Sequence, residues 1–453
     1  MTAFPEYGAT FCPIGNVVKV ARRGCAARRL DTAAGPTQDA ATRNTLGVAS
    51  DLGQRSPLME TKAGVGMSHH RNPKVAGREA AEKALAAAGI TRPHFVFMFA
   101  SVGYDQRALL DAVREATGGA PLCGGSGEGV IAGAEADESN FSVAVMAIRS
   151  DELRFSNAIA TGLKEDSEGA GRTIARALKG EMRPDTLGLI MLGDGLTLNF
   201  DRFVAGLEGE LKLGRLLPLF GGTSADNWEL KRTYQYCDDQ ITSDGVAGAL
   251  LSGSARVAWS VNHGCSPIGG ERKVTRCDGN VIYEIDGKPV LEVLKEYLVG
   301  DEIDNWSKAV VNLCLGFKAP RHMKDYDEYL IRFMPARDDK AGSITISTEV
   351  VEGTSVWMTR RDYEKIAAGV DRIGEEIKAT LGGQPPKMVF QFDCAGRGKI
   401  VLRDQQKAQL LGTLQQRVQP DAPWMGLYTY GEIGPVGERN CFHNYTAVVL
   451  AVY

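Results

Sequence analysis

The sequence predicts a mixed α/β fold in which repeated strand–helix–strand–strand units form mixed sheets covered by helices, arranged in two halves. Short continuous apolar runs, such as residues 95–100, alternate with segments such as 105–116, whose apolar residues recur at helical spacing. A glycine-rich or polar stretch followed by an apolar run occurs three times, at residues 121–148, 218–252 and 426–453. A chain of 453 residues with 43% hydrophobic and 24% charged residues can bury the core that such sheets need.

The first unit follows a segment without periodicity. Residues 1–60 mix Arg, Ala, Gly and Ser, which favours a disordered, dispensable tail or a natural start at Met59. The predicted elements of the unit are a strand at 63–67, a helix at 73–88 ended by Gly89, a buried strand at 95–100, a helix at 105–116, a glycine loop at 121–129 and a strand at 141–148.

The second unit repeats this order. Its predicted elements are a strand at 155–162, a helix at 169–178, a strand at 187–192, a helix at 200–211, a glycine loop at 219–227 and a closing strand at 246–252. The turn-rich residues 262–270 then mark the boundary between the two halves.

The C-terminal half ends in the third unit. Before that unit, the predicted elements of the half are strands at 280–285, 310–315 and 355–360, an antiparallel hairpin of 329–333 with 343–348, and helices at 289–298 and 362–381. The third unit itself begins with a strand at 388–392 and continues with a helix at 404–416 and a final hairpin after residue 426. In each unit we expect the two strands joined by a helix to be parallel and the closing strand antiparallel to them. We also expect the glycine loops of the first two units to lie close together.

Three segments of the C-terminal half resemble one known family. They are YEIDGKP at 283–289, FDCAGR at 392–397, and GLYTYGEIGP at 426–435 followed by HNYT at 443–446. In this order they resemble the FIST family, a two-part bacterial sensory domain found near signal-transduction genes. The resemblance implies a FIST N-terminal domain at 61–278 and a FIST C-terminal domain at 279–453, and a ligand-sensing function. Some members resemble haem proteins that detect nitric oxide, so haem is a candidate cofactor.

Charge and cysteine content exclude several other classes. A net charge of −4 gives no basis for nucleic-acid binding, and no apolar run reaches the ~20 residues that span a bilayer. The nine cysteines form no Cys-x-x-Cys pair, so neither a disulfide framework nor a zinc ribbon is predicted. No phosphate loop, nucleophile elbow or His-Glu-x-x-His motif is present. We therefore expect a cytoplasmic sensor that acts on a separate partner, for which the resemblance suggests a histidine kinase or a cyclic-di-GMP enzyme.

The candidate ligand site lies at predicted strand ends. Ligands of open α/β sheets bind where loops leave the carboxyl ends of strands, and we expect a cleft between the two halves there, bordered by Arg397, Tyr430, Glu432 and His443. The planar guanidinium of Arg397 is expected to bind an acidic group through two parallel hydrogen bonds, and Tyr430 is expected to pack on the apolar part of the ligand. Further candidates are Cys394 and, from the first unit, Ser126 and Glu128.

Two of these residues have alternative roles. His443 matches a histidine that the resemblance places in the last hairpin; it is the expected iron ligand if haem binds, or else a hydrogen-bonding residue that holds the hairpin. Cys394 is either a packed small side chain or the nucleophile of a cysteine-dependent amidohydrolase or transferase that also uses His443 and Glu432. Loop histidines His263 and His322 and the adjacent pair His69 and His70 are weaker metal-ligand candidates.

Overall fold

The computed structural model describes residues 60–302, 304–319 and 329–453. The predicted tail at 1–60 lies outside these ranges except for Glu60, and so does His322. Within them the fold is mixed α/β, as predicted, and contains three sheets of six strands and one of nine. No described helix is both long enough and apolar enough to cross a membrane.

Repeat 1 contains the first predicted unit. Its elements are β1 (Thr61–Ser68), α1 (Pro73–Ala88), β2 (Phe95–Ala100), α2 (Gln106–Ala116), β3 (Leu122–Ser126), β4 (Gly129–Ala132), β5 (Glu135–Asp137) and β6 (Val143–Ser150). The Asn72 side chain accepts hydrogen bonds from the first turn of α1, and Gly89 ends this helix with φ 62°. These local signals explain why α1 has its predicted bounds.

Repeat 2 has the same order of elements. They are β7 (Leu153–Thr161), α3 (Leu163–Lys179), β8 (Thr186–Asp194), α4 (Phe200–Leu211), β9 (Leu219–Ser224), β10 (Gln235–Cys237), β11 (Gln240–Thr242) and β12 (Gly245–Gly253). The Asn199 side chain caps α4 by accepting from Arg202 N at 3.1 Å.

Repeat 3 is interrupted after its first strand, β13 (Val257–His263), by a segment that we call the insert, whose described residues form nine strands and two short α-helices. The insert contains β14 (Cys265–Pro267), β15 (Arg272–Asp278), β16 (Val281–Ile285), β17 (Lys288–Pro289), α5 (Val290–Lys295), α6 (Trp306–Asn312), β18 (Leu313–Lys318), β19 (Tyr329–Arg332), β20 (Ala336–Asp338), β21 (Ser343–Thr345) and β22 (Ser355–Arg361). Repeat 3 then continues with α7 (Tyr363–Leu381), β23 (Met388–Cys394), α8 (Asp404–Val418), β24 (Trp424–Thr429), β25 (Gly431–Val436), β26 (Arg439–His443) and β27 (Thr446–Val452).

Each repeat builds four strands of a six-stranded sheet and gives a hairpin to another repeat. The three strand orders are β1-β6-β2-β3-β10-β11, β7-β12-β8-β9-β25-β26 and β13-β27-β23-β24-β4-β5. The expected strand directions are confirmed, since β2/β3, β8/β9 and β23/β24 are parallel and β6, β12 and β27 pair antiparallel to the first strand of each of these pairs. The hairpins pass from repeat 1 to 3, from 2 to 1 and from 3 to 2, which ties the two sequence halves together.

The main core lies where the inner faces of these three sheets meet. Phe97 of β2 contacts Phe390 of β23 with ring centroids 4.9 Å apart, and Ile190 and Leu192 of β8 belong to the same buried cluster. Helices α1 and α2 contact each other, as do α3 and α4, and α7 and α8. The insert has its own buried cluster around Val274, which explains how it forms a separate sheet.

Four predictions for individual elements are wrong. Residues 310–315 are not one strand, because α6 ends at Asn312 and β18 begins at Leu313. Strands β19 and β21 do not pair with each other; β19 pairs with β18, and β21 with β16 and β20. Both glycine loops contain strands, β3 and β9. The final hairpin is four strands in two sheets, since β23 lies between β24 and β27.

The glycines of β3 and β9 are required by close strand packing rather than by turns. A Cβ on Gly124 would lie 1.8 Å from Met98 O, and a Cβ on Gly221 would lie 2.0 Å from Met191 O. Each glycine is the register partner of that methionine in a parallel strand pair. The two repeats therefore use glycine at equivalent positions for the same reason.

Candidate functional site

A cavity of about 410 Å³ lies between the insert and the carboxyl ends of β8, β9, β23 and β24. Its volume is in the range of small-molecule sites. Both sequence halves contribute to its wall, which is formed mainly by apolar and aromatic side chains and by neutral polar groups. The lining residues are Asp194, Gly195, Leu196, Thr197, Leu198, Asn199, Thr223, Trp228, Leu230, Asn280, Val310, Val311, Phe333, Pro335, Thr345, Ile346, Ser347, Cys394, Ala395, Gly396, Ile400, Tyr430, Phe442, Asn444 and Tyr445.

The wall from repeat 2 is held by Asp194 at the end of β8. Its Oδ1 accepts from Leu196 N at 2.8 Å, and its Oδ2 accepts from Asp244 N at 2.9 Å. The carboxylate therefore fixes the turn between β8 and α4, and both of its oxygens are engaged by backbone N–H groups. The turn leaves Leu196 37% exposed at the cavity.

The wall from repeat 3 is joined to the insert by Asn444 and Tyr445. Asn444 Nδ2 donates to Tyr430 O at 3.1 Å, and Asn444 Oδ1 accepts from Phe333 N at 3.0 Å. The Tyr445 hydroxyl donates to Val310 O of the insert. These three bonds connect the ends of β24 and β26 with the part of the insert that covers the cavity.

A loop between β9 and β10, which we call the Trp228 loop (residues 225–232), forms the remaining side. Asn227, Trp228 and Leu230 have φ values of 58°, 62° and 53°, in the left-handed region that non-glycine residues avoid. Buried Asp226 maintains this conformation. Its carboxylate accepts from the backbone N of Leu230, Lys231 and Arg232 and from the Tyr430 hydroxyl, which donates at 2.7 Å.

Glu128 is a second buried carboxyl group behind the Trp228 loop. Its side chain is fully buried, and Oε1 accepts from Trp228 N at 2.7 Å. Among the described residues no group bonds Oε2. Burial raises the pKa of Glu128 to about 7, against the lowering effects of Tyr430 and of the Trp228 N–H. The carboxyl group is thus poised to change protonation near neutral pH.

Four of the seven predicted site residues lie at or directly behind the cavity. Tyr430 and Cys394 line it, and Glu128 contacts the Trp228 loop. Ser126 Oγ donates to Ala225 O at 2.8 Å and accepts from Tyr234 N at 3.0 Å, so Ser126 anchors both ends of the loop region. These bonds also confirm that the glycine-rich stretches of the first two units lie close together.

The other three predicted residues, Arg397, Glu432 and His443, do not border the cavity. Arg397 is 3% exposed, and its Nε donates to Asp393 Oδ1 at 2.7 Å. It lies instead with Asp393 and Lys407 beside a void of about 20 Å³, too small for an organic ligand. The sequence does not show that Asp393, four residues earlier, forms an ion pair with the Arg397 guanidinium.

Glu432 and His443 are a fully buried cross-strand pair of β25 and β26. Glu432 accepts from Thr429 Oγ1 at 3.0 Å and from Thr446 N at 3.2 Å, and burial raises its pKa well above the ordinary value. His443 Nε2 bonds Gly434 O at 3.0 Å, and burial lowers its pKa to about 3. The position of His443 matches the structural alternative, in which it holds the hairpin.

The arrangement does not fit a haem held by His443. The imidazole does not line the cavity, it is fully buried, and its Nε2 is engaged by a backbone carbonyl. Within the described ranges no three His, Cys, Asp or Glu side chains are grouped as metal ligands.

Cys394 lines the cavity as a thiol. Burial is the main cause that raises its pKa well above the ordinary value, and the neighbouring Glu432 carboxyl acts in the same direction. Its Sγ accepts from Gly396 N at 3.4 Å. These surroundings do not produce the thiolate that a nucleophilic cysteine needs.

The sequence does not indicate that the Trp228 loop and the insert form parts of the cavity wall. The Asp226-Asn227 pair was a turn signal, and Asp is common where a side chain organises a loop. The insert residues that line the cavity, such as Val310 and Ile346, have no distinguishing local pattern. Their role depends on the packing of the insert.

Family profiles identify the chain. The FIST N domain matches residues 94–288, and the FIST C domain matches residues 291–435. The chain belongs to the FIST family. FIST domains are sensor domains of signal transduction, so the family assigns the protein a sensory role and leaves its ligand open.

Two relatives are similar in sequence to this FIST protein over more than half of its length. An uncharacterized protein of Mycobacterium tuberculosis is 28% identical over 404 residues, which cover 85% of this chain and 98% of the relative. An uncharacterized protein of Methanocaldococcus jannaschii is 26% identical over 267 residues, covering 56% of this chain and 51% of the relative.

Solved structures with a detectable likeness are remote. A cyanuric acid hydrolase from A. caulinodans aligns with a TM-score of 0.33 and 10% identity, covering 86% of this chain and 99% of that one. A chorismatase aligns with a TM-score of 0.34 and 8% identity, covering 87% and 98%. At these scores the likeness assigns no activity to the FIST chain.

Proposed function

We propose that this FIST protein is a cytoplasmic sensor that binds a small organic ligand in the 410 Å³ cavity and acts on a separate signalling protein. The observation that carries the proposal is the position of the cavity. Its wall combines strand ends of repeats 2 and 3, the Trp228 loop and the insert. A ligand there would contact all four and could change how they are held together.

The insert is the element through which binding would reach the surface. It meets the rest of the protein at the cavity through Tyr445 and Asn444. If the insert adopts two positions and the ligand binds one of them more tightly, binding increases the population of that position, to an extent set by the difference between the two affinities. A histidine kinase or a cyclic-di-GMP enzyme that recognises the insert surface is our proposed partner.

The cysteine-dependent alternative has less support. Cys394 is at the cavity, but its pKa is raised, and His443 is engaged by Gly434 O rather than by the thiol. An amidohydrolase or transferase needs an activated nucleophile and a base within reach of it. The sensory proposal requires neither.

The proposal is tested by identifying what co-purifies with the protein. Native mass spectrometry of freshly purified protein, followed by extraction and small-molecule analysis, is expected to show a bound organic compound. The control is Val311→Phe, which places a ring in the cavity wall and should remove the compound while the circular dichroism spectrum is retained. Equal retention by both proteins would contradict the cavity as the ligand site. An absorption band of haem that survives in Val311→Phe and disappears in His443→Ala would favour the haem alternative.

A further inference from the structure

The exposed part of the cavity lining is entirely apolar. Among the described lining residues only Leu196, Leu230 and Pro335 are exposed, and every polar lining residue is buried or half-buried. The three exposed residues belong to different elements, namely the turn after β8, the Trp228 loop and the insert. They mark the mouth of the cavity, because exposed lining residues lie where a cavity opens to solvent.

Exposed leucines are unusual in this protein. Six large hydrophobic side chains are exposed in the described ranges, and Leu196 and Leu230 are the two leucines among them. A single exposed apolar side chain is ordinary. Two leucines and a proline that border the same opening are typical of a surface that binds an apolar group.

The backbone of Leu230 supports a role for its side chain outside the protein core. Its N donates to Asp226 Oδ1 at 2.9 Å, and its φ of 53° lies in the left-handed region, which Gly and Asn adopt at lower cost. The side chain is 53% exposed, so it adds little to the core. Neither the backbone nor the interior explains a leucine at this position, whereas contact with the apolar part of a ligand does.

The buried end of the cavity contains polar groups, such as the side chain of Thr223. Two guanidinium groups lie directly behind its lining. Arg361 donates to Gly396 O, and Arg332 donates to Phe442 O at 2.9 Å. A neutral or an anionic polar group is therefore compatible with this end, and the apolar mouth is the feature that defines the ligand.

A compact polar ligand would fill only the buried end and leave Leu196, Leu230 and Pro335 in water. An aliphatic chain that continues to the mouth would cover these side chains and remove apolar surface of both partners from water. We infer that the cavity takes an amphipathic small molecule whose polar head lies at the buried end and whose aliphatic chain passes out through the mouth. This inference rests on the proposed function and adds to it the chemical class of the ligand.

Two homologous series of probes test the ligand class. They are the hexyl, octyl and decyl members of the 1-alkanols, which are neutral, and of the linear alkanoates, which are anionic. Affinities are measured by saturation-transfer NMR titration with the full chain. We expect each added CH₂ group to tighten binding about two- to fourfold in both series, as burial of a methylene against an apolar surface implies.

Variants at the mouth then locate the chain. Leu230→Asn removes the apolar side chain but keeps a residue that tolerates the left-handed backbone, and Leu196→Asn makes the equivalent change on the other element. Each should weaken decanol about fivefold and hexanol less than about twofold, because only the longer chain reaches the mouth. Val351→Asn is the matched control. It replaces an exposed apolar side chain of the insert that does not line the cavity, and should leave both affinities unchanged.

The possible results separate this inference from the proposed function. Absence of probe binding, affinities that do not depend on chain length, or an unchanged gain per CH₂ in both Leu230→Asn and Leu196→Asn overturns the inference. If the probes still lose affinity in Val311→Phe, the cavity is a ligand site and the proposed function stands. Binding that is insensitive to Val311→Phe and to both leucine variants overturns both.

Discussion

Replacement of Glu128 by Gln tests the electrostatics behind the Trp228 loop. Burial disfavours the carboxylate, so the folded protein binds the Glu128 proton more tightly than the unfolded chain does. The contribution of this group to stability is therefore fully present below its ordinary pKa of 4.5 and is lost as the pH rises through about 7. At about 1.4 kcal/mol per pKa unit, the loss is about 3 kcal/mol.

Glu128→Gln keeps the oxygen that accepts from Trp228 N but cannot ionise. We expect the free energy of unfolding of the variant, relative to the unmodified protein, to rise by about 3 kcal/mol between about pH 4 and about pH 9. Urea denaturation followed by circular dichroism at several pH values measures this difference. Glu229→Gln is the control, because Glu229 is an exposed carboxylate of the same loop. A difference for Glu128→Gln that does not change with pH would refute a raised pKa.

Three further predictions concern packing, a buried ion pair and cysteine reactivity. Gly124→Ala should destabilise the protein by more than about 3 kcal/mol or prevent its folding, because the added Cβ would lie 1.8 Å from Met98 O. Gly209→Ala in α4 is the control: its Cβ would meet open space, so this variant should be about 0.5–1 kcal/mol more stable in urea denaturation. Lys407→Met should lower the free energy of unfolding by about 3–5 kcal/mol, because it leaves the buried Glu138 carboxylate without the ammonium group 2.6 Å away. The double variant Lys407→Met, Glu138→Leu should recover most of this loss. A double variant that is no more stable than Lys407→Met would contradict the ion-pair explanation. In iodoacetamide labelling at about pH 7.5 followed by peptide mass spectrometry, the partly exposed Cys277 should react before the buried Cys394. Burial raises the pKa of both thiols, so their exposure decides the order, and the opposite order would favour the enzyme alternative.

The sequence alone determined the elements whose signals are local. Helix α1 begins after Asn72 and ends at Gly89, and both effects arise from groups within one turn of the helix. The buried strand β2 and helix α4 also have their predicted bounds. The parallel and antiparallel directions within each unit follow from the length of the connections, which is likewise visible in the sequence. The motifs of the C-terminal half indicated the sensory family.

Which strands share a sheet and which side chains line the cavity depend on contacts between segments that are distant in the sequence. The pairing of β25 with β9 joins residues about 210 positions apart, and nothing within either strand specifies that partner. Arg397 and His443 had the right chemistry for a ligand site, but Asp393 engages the first and Gly434 O bonds the second, both in the interior. Trp228 reached the cavity because Asp226 and Glu128, on two different repeats, bind one strained loop. Local hydrogen bonds are encoded within a few residues, whereas burial and the partner of a polar group depend on how distant segments pack.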